Sequence, residues 1–217
     1  MINVCGLHLS GSFDKLNAEL KMLKNNGGLN NMKRVSVFLA DGFEEIEGLT
    51  VVDILRRAGA EVDTVSVTVN LVVHGAHQID VKADALFEDM DFEGTDMLVL
   101  PGGMPGTLNL GKHEGLTGLL RIQNEKGAYI AAICAAPSVL GGLGLLNGRK
   151  ACCYPSFEEK LEGADVVYEP VVQDGHIITS RGMGTAIPFS LKLAELLCGA
   201  AKAEQVGKGI LFLLPSI

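Results

Sequence analysis

Short apolar runs, each closed by a turn and followed by a helix-patterned stretch, recur along this chain and leave few folds open to it. Residues 35–40 are the first such run, ending at Asp41-Gly42. Residues 43–58 carry apolar side chains at 46, 49, 52 and 55 with Gly59 just beyond, which predicts a helix with a glycine stop. Residues 61–67 read as the next strand, and 71–74 with 79–81 read as a small hairpin around Gly75-Ala76. A buried strand over 96–100 breaks off at Pro101-Gly102-Gly103. A helix over 116–125, a strand over 128–133 and a helix over 137–146 follow. A second hairpin pairs 171–173 with 176–179, and a long amphipathic helix over 185–197 ends before Gly199. This β-then-α order predicts an α/β fold: a three-layer sandwich with a mostly parallel central sheet and helices on both faces.

Composition supports one packed domain. Of 217 residues, 47% are hydrophobic and 20% charged, so global disorder is excluded and a sizeable core is available. The formal charge of −8, without any Lys/Arg cluster, argues against dedicated binding of nucleic acid or of anionic membranes. Residues 127–148 hold no charged side chain and are long enough to span a bilayer. Pro137, Gly141, Gly142, Gly144 and Asn147 interrupt them, so two short buried elements joined by a turn are expected instead. Cysteines stand at 5, 134, 152, 153 and 198 with no C-x-x-C pair. That pattern indicates neither a disulfide framework nor a zinc site, and it suits reduced thiols in a cytoplasmic protein. Residues 1–31 show no strand pattern and end in an Asn/Gly-rich run, with a short helix at 16–23 at most. They read as a dispensable extension, the rival being a functional arm, ahead of a single domain over 32–217.

The chemistry-bearing segment is Tyr129-Ile130-Ala131-Ala132-Ile133-Cys134-Ala135-Ala136-Pro137-Ser138. A strand meets a helix start within two residues of Cys134, and Pro137 suits the first helical turn. Ala132 and Ala136 flank Cys134 as the small residues of a nucleophile elbow do, which would present the thiol at the carboxyl end of a strand. A buried core thiol is the competing reading of this motif alone. Two further segments favour a functional thiol. The glycines after Leu100-Pro101 permit close backbone approach, so Gly103 and Ala135 N–H groups would form an oxyanion hole. Glu44, Glu45 and Glu47 open a helix, where acids also suit the dipole, and Glu47 sits on the Phe43/Ile46 side. Asp53 and Arg57 form an i,i+4 pair in the favourable direction.

Four strings in order resemble the ThiJ/PfpI superfamily, in its Parkinsonism-associated deglycase-like branch. They are Glu44-Glu45-Ile46-Glu47, Leu100-Pro101-Gly102-Gly103, Ala131-Ala132-Ile133-Cys134-Ala135 and Thr179-Ser180-Arg181-Gly182-x-Gly184-Thr185. The resemblance spans about residues 33–212. It implies a flavodoxin-like fold, a homodimer and no cofactor or metal. It implies Cys134 as nucleophile and peroxide-sensitive thiol, Glu47 as its hydrogen-bond partner, and Gly103 and Ala135 as backbone donors. Asp53, Arg57, Arg181 and Tyr154 are placed in the surrounding shell. The implied activity is cofactor-free glyoxalase or deglycase chemistry on methylglyoxal, glyoxal or early glycation adducts. The alternative is an oxidative-stress sensor or chaperone-like protein that oxidises Cys134 without turnover. Tyr154 stands where family glyoxalases often place a histidine, and Ala135 stands where the protease-like branch has one, so peptidase activity is not expected.

Lowering a free thiol pKa by about three units takes roughly 4 kcal/mol. A helix N-terminus supplies at most about 2 kcal/mol. A hydrogen bond to the thiolate adds roughly 1.5–3 kcal/mol, and Glu47 can donate one only when protonated. Burial of Glu47 would favour that state, and the two groups would titrate as a pair.

Overall fold

The computed structural model describes residues 32–212. Chain order is β1 (Arg34–Leu39), α1 (Glu45–Ala58), β2 (Glu61–Ser66), β3 (Val72–His74), β4 (Asp80–Lys82), β5 (Ala85–Leu86) and β6 (Met97–Leu100). Then come α2 (Gly106–Lys112), α3 (Glu114–Glu125), β7 (Tyr129–Ile133), α4 (Pro137–Gly142), β8 (Lys150–Ala151) and β9 (Asp165–Val166). The chain finishes with β10 (Val171–Asp174), β11 (Ile177–Ser180), α5 (Ala186–Cys198) and α6 (Ala200–Gly209). The central sheet has the order β10-β11-β7-β6-β1-β2-β5 and is parallel except for the β10–β11 hairpin.

Alternation along β1 explains the three layers. Val35, Val37 and Leu39 face a core shared with α1, α5 and α6 through Val51, Leu55, Phe189, Leu193 and Val206. Phe38 faces the other core, with Leu110 of α2, Leu116 and Leu120 of α3, and Leu140 of α4. A strand buried on both faces needs mostly apolar residues at every register, which is why β6 and β7 read as unbroken apolar runs and β1 as one interrupted only by the buried Ser36. Helix α1 stops as expected: Gly59 adopts φ 91°, and its N–H bonds back to the carbonyls of Arg56 and Leu55.

Several expectations shift. The helix predicted over 137–146 ends at Gly142, followed by turns in which Gly144 takes φ 73°. Residues 127–148 thus divide into β7, α4 and those turns, and no helix among the described residues is long and apolar enough to cross a membrane. The stripe at 46, 49, 52 and 55 is only half buried: Val52 and Leu55 face the core, while Ile46 and Leu49 are exposed. Helices α2 and α6 were not anticipated, because Gly106 and Gly111 in the first and Gly207 and Gly209 in the second weaken helix propensity. The expectations for residues 1–31 lie outside the described residues.

Phe189 is completely buried between α5 and the sheet. Phe189→Ala should therefore cost about 3–5 kcal/mol, measured as a reduced urea midpoint at constant slope.

Candidate functional site

Open parallel sheets bind ligands beyond the carboxyl ends of their strands, where the strand order reverses. Here that point lies between β1 and β6, with β7 beside β6. The segments following these three strands carry Glu47, in the first turn of α1, Gly102 with Gly103, and Cys134 respectively.

Three residues reverse the chain between β7 and α4, and Cys134 does so at φ 65°. A non-glycine residue enters that region at a cost of about 1–2 kcal/mol. Neighbouring backbone holds it there: the Cys134 N–H donates to the Ser180 carbonyl at 3.0 Å, and its own carbonyl accepts from Tyr154 N–H at 2.8 Å. Ala135 and Ala136 are buried, as small residues at a tight elbow must be.

Glu47 lies in the first turn of α1 and is 1% exposed. Its Oε2 accepts the Gly102 N–H at 2.9 Å. The Cys134 thiol lies beside this carboxyl. Oε1 has no hydrogen-bond partner among the described residues. Gly102 cannot be replaced without displacement, because a Cβ there would lie 2.6 Å from Cys134 Cβ and 2.7 Å from Glu47 Oε2. The Gly102 carbonyl in turn accepts Glu44 N–H at 2.9 Å, tying this loop to the start of α1. Gly103 takes φ 88°, and its N–H and that of Ala135 face the thiol and favour its anion.

Burial raises the Glu47 carboxyl to about 7, against opposing hydrogen bonds from Cys134 and Gly102. Burial and then the negative charge of Glu47 push the Cys134 thiol up to about 12, although the Gly103 and Ala135 N–H groups pull it down. This differs from the expected low thiol pKa, first because the thiol is buried and second because its partner can carry a negative charge. An ionised Glu47 repels the thiolate, whereas a protonated Glu47 removes that repulsion and donates to it. The two groups share a single negative charge and titrate as a pair.

Tyr154 borders the site. It is 50% exposed, and its ring lies against Gly182, where a Cβ would be 3.2 Å from the ring and 3.9 Å from Glu47 Oε1. Asp53 and Arg57 do pair, at 2.8 Å, but on the exposed face of α1 and away from Glu47. Arg181 packs over the Tyr168 ring at 5.4 Å, and its charge acts on Cys152. Sequence reasoning missed Gly102 as the glycine in contact with both reactive side chains, and Gly182 as the wall beside Tyr154. The Pro-Gly-Gly and Arg-Gly strings were the available signals. Among the described residues, Glu44, Glu45 and His77 are the only cluster with metal-capable atoms, all within 4.8 Å of one another. Hydrogen bonds from His77 to Glu45 account for that grouping.

The model of the DJ-1/PfpI family matches residues 33–196. The chain is 42% identical over 187 residues to Protein DJ-1 homolog A of Arabidopsis thaliana, covering 85% of this chain but only 47% of that one. It thus spans about half the length of that relative. The crystal structure of Drosophila melanogaster DJ-1beta superposes with a TM-score of 0.82 at 38% identity, covering 84% of this chain and all of that one. A Caenorhabditis elegans relative named glutathione-independent glyoxalase DJR-1.2 is 33% identical over 166 residues, covering 76% of this chain and 88% of that one. The chain belongs to the DJ-1/PfpI family.

A carboxyl whose folded pKa lies above its unfolded value disfavours folding once ionised. Stability should therefore fall as pH rises from about 4.5 towards 7, by on the order of 3 kcal/mol at most. Glu47→Gln should flatten that part of the profile, measured by urea unfolding across the pH range. A variant profile parallel to the wild type would contradict the placement of Glu47.

Proposed function

We propose that the protein is a cysteine-dependent, cofactor-free glyoxalase that converts methylglyoxal or glyoxal to the hydroxy acid, in the manner of a glyoxalase III-like hydro-lyase. The observation that carries this reading is the placement of the Cys134 thiol beside the buried Glu47 carboxyl and against the N–H groups of Gly103 and Ala135. The name of the glutathione-independent glyoxalase relative supports it.

Cys134 sulfur attacks the aldehyde carbon, and its proton resides on Glu47. The carbonyl electron pair moves to oxygen, where the Gly103 and Ala135 N–H groups stabilise the oxyanion. Protonation of that oxygen gives a hemithioacetal. Glu47 then removes the carbon-bound proton of the former aldehyde, the hemithioacetal hydroxyl proton passes to the neighbouring oxygen to give an enediol, and Glu47 returns its proton to the neighbouring carbon, leaving a thioester of the hydroxy acid. Water cleaves the thioester, releasing lactate from methylglyoxal and restoring the thiol. The sum is addition of one water with no net oxidation, so no redox partner is required. A carboxyl near pKa 7 suits both directions of proton transfer at neutral pH. Tyr154 offers no imidazole, which points to slow turnover. The same thiol and amide groups would hold a sulfinate, so oxidation of Cys134 is the competing use of the site. Repair of early glycation adducts would begin with the same attack.

The proposed assembly is a homodimer. Ile46, Leu49, Ile79 and Ile187 are exposed together around an open groove of about 450 Å³ on the α1 side. Clustered large apolar side chains of this kind mark association surfaces. The proposed functional unit is residues 32–217, in a cytoplasmic setting, with residues 1–31 dispensable; the family match beginning at residue 33 supports that boundary.

Purified protein incubated with methylglyoxal should yield lactate, and Cys134→Ala should abolish it. Glu47→Ala should lower kcat by about 10²–10⁴-fold, the usual contribution of a positioned acid–base group. It should also lower the thiol pKa read from alkylation rate against pH, because the charge of Glu47 pushes that thiol up. Mass gain with peroxide and no lactate at any enzyme concentration would favour the oxidation reading instead. Leu49→Glu should shift the elution and light-scattering mass from dimer to monomer.

A further inference from the structure

The β3–β4 hairpin is stitched to the start of α1 by main-chain and side-chain bonds. Gly42 N–H donates to His74 O at 2.7 Å, and Ala76 N–H donates to Phe43 O at 2.8 Å. His74 N–H donates to Asp41 Oδ1 at 2.9 Å. Glu45, 3% exposed, takes both of its side-chain hydrogen bonds from His77 of the hairpin. Its Oε1 accepts His77 N–H at 2.7 Å, and its Oε2 pairs with His77 Nδ1 at 2.9 Å. Its carboxylate fills the space where a Cβ of Gly75 would sit.

The same stretch of chain holds the reactive groups. Glu44 N–H bonds Gly102 O at 2.9 Å, Gly102 N–H bonds Glu47 Oε2 at 2.9 Å, and Gly102 touches Cys134. Glu45 stands between Glu44 and Glu47 in the sequence. A shift of the α1 start would therefore move both ends of the Glu47–Gly102 contact.

The geometry points to His77 as a positioning residue for the proposed Cys134 chemistry: its charged pairing with buried Glu45 clamps the hairpin to α1 and so fixes Glu47 against Gly102 and Cys134. This rests on the reading of Glu47 as the thiol's partner. The charged groups facing His77 are Glu44, at 3.5 Å, and Glu45. On the hairpin itself His74 pairs with Asp80 at 2.7 Å, with Asp41 also acting on His74. Hydrogen bonding to Glu45, then the charge of Glu44, raises His77 above its usual value. Burial lifts the Glu45 carboxyl, but the His77 contacts outweigh it and leave it lowered. A histidine raised by its partner contributes stability below its unfolded pKa and loses it as pH rises through the folded one. A lowered carboxyl contributes above its unfolded pKa and loses it on acidification. The clamp is therefore complete between those limits and loosens on the alkaline side as His77 loses its proton.

The test uses full-length wild type, His77→Gln, which keeps the backbone contact but never carries charge, and His77→Arg, which is charged throughout. Two readouts need no turnover: iodoacetamide alkylation of Cys134 against pH, and hydrogen exchange of the Gly102 amide. At pH 7, H77Q should alkylate about threefold more slowly, the size of a weakened single hydrogen bond. Its Gly102 amide should lose protection, and H77R should restore both. In wild type, Gly102 protection should fall as His77 deprotonates, while in H77R it should not; this comparison stands even if H77Q does not fold. Superimposable wild-type and H77Q profiles, or failure of H77R to restore them, would overturn the clamp. If Glu47→Gln leaves alkylation unchanged, the Cys134–Glu47 reading fails separately, and Gly102 exchange still decides whether His77 holds the loop.

Discussion

The Gly102 amide sits where three strand ends converge, and the site depends on how closely its backbone approaches two side chains. It donates to the buried carboxyl of Glu47 and leaves no room for a Cβ beside Cys134. Both neighbours are otherwise disfavoured: Glu47 is a carboxyl removed from water, and Cys134 is a non-glycine residue at positive φ. Each persists because main-chain groups around it are fixed. Ser180 and Tyr154 hold the elbow, and Glu44 holds the glycine loop. Strain of this kind survives only where the surroundings over-determine it.

That convergence also governs the charge state. Two acidic groups with one set of compensating donors cannot both ionise cheaply, since each anion destabilises the other and neither is solvated. The pair is therefore a proton-sharing unit near neutral pH. Which member holds the proton depends on what occupies the amide pocket beside Gly103 and Ala135. A carbonyl oxygen gaining negative charge there competes for the N–H groups that otherwise favour the thiolate. In the proposed reaction, attack and proton movement would be coupled through those same donors.

The sequence reveals the elements of this arrangement unevenly. Cys134 is legible because an apolar strand, small flanking residues and Pro137 leave only a sharp turn at that position. The two-sided burial of β1, β6 and β7 is legible for the same reason, as mostly apolar runs. Glu47 is harder. Helical periodicity placed the buried face on 46, 49, 52 and 55, yet Ile46 and Leu49 face outward and Glu47 inward. A buried acid violates the hydrophobic pattern, so only the resemblance identified it. Asp53 and Arg57 are named by that same resemblance, and they pair on the exposed face of α1. Gly102 was passed over in favour of Gly103, since a pattern of two glycines does not say which one meets the thiol. Helices α2 and α6 escaped notice because their glycines lower local propensity and tertiary packing alone stabilises them.

Backbone positioning and side-chain chemistry are separable here. The bonds that place the three loops run mostly from main chain to main chain, through Gly42, Glu44, Gly102, Cys134, Tyr154 and Ser180. Substituting a reactive side chain, Cys134 or Glu47, leaves those bonds available. Adding a Cβ at Gly102 does not, because the nearest atoms include the Ile133 carbonyl, at 3.0 Å, as well as both reactive groups. Tyr154 combines the two kinds of role: its amide belongs to the scaffold, while its half-exposed ring forms the rim. The residue type at 154 can therefore alter access and proton transfer without altering the elbow. In the proposed reaction, the side chain at that rim would bear on the balance between turnover and oxidation of the same thiol.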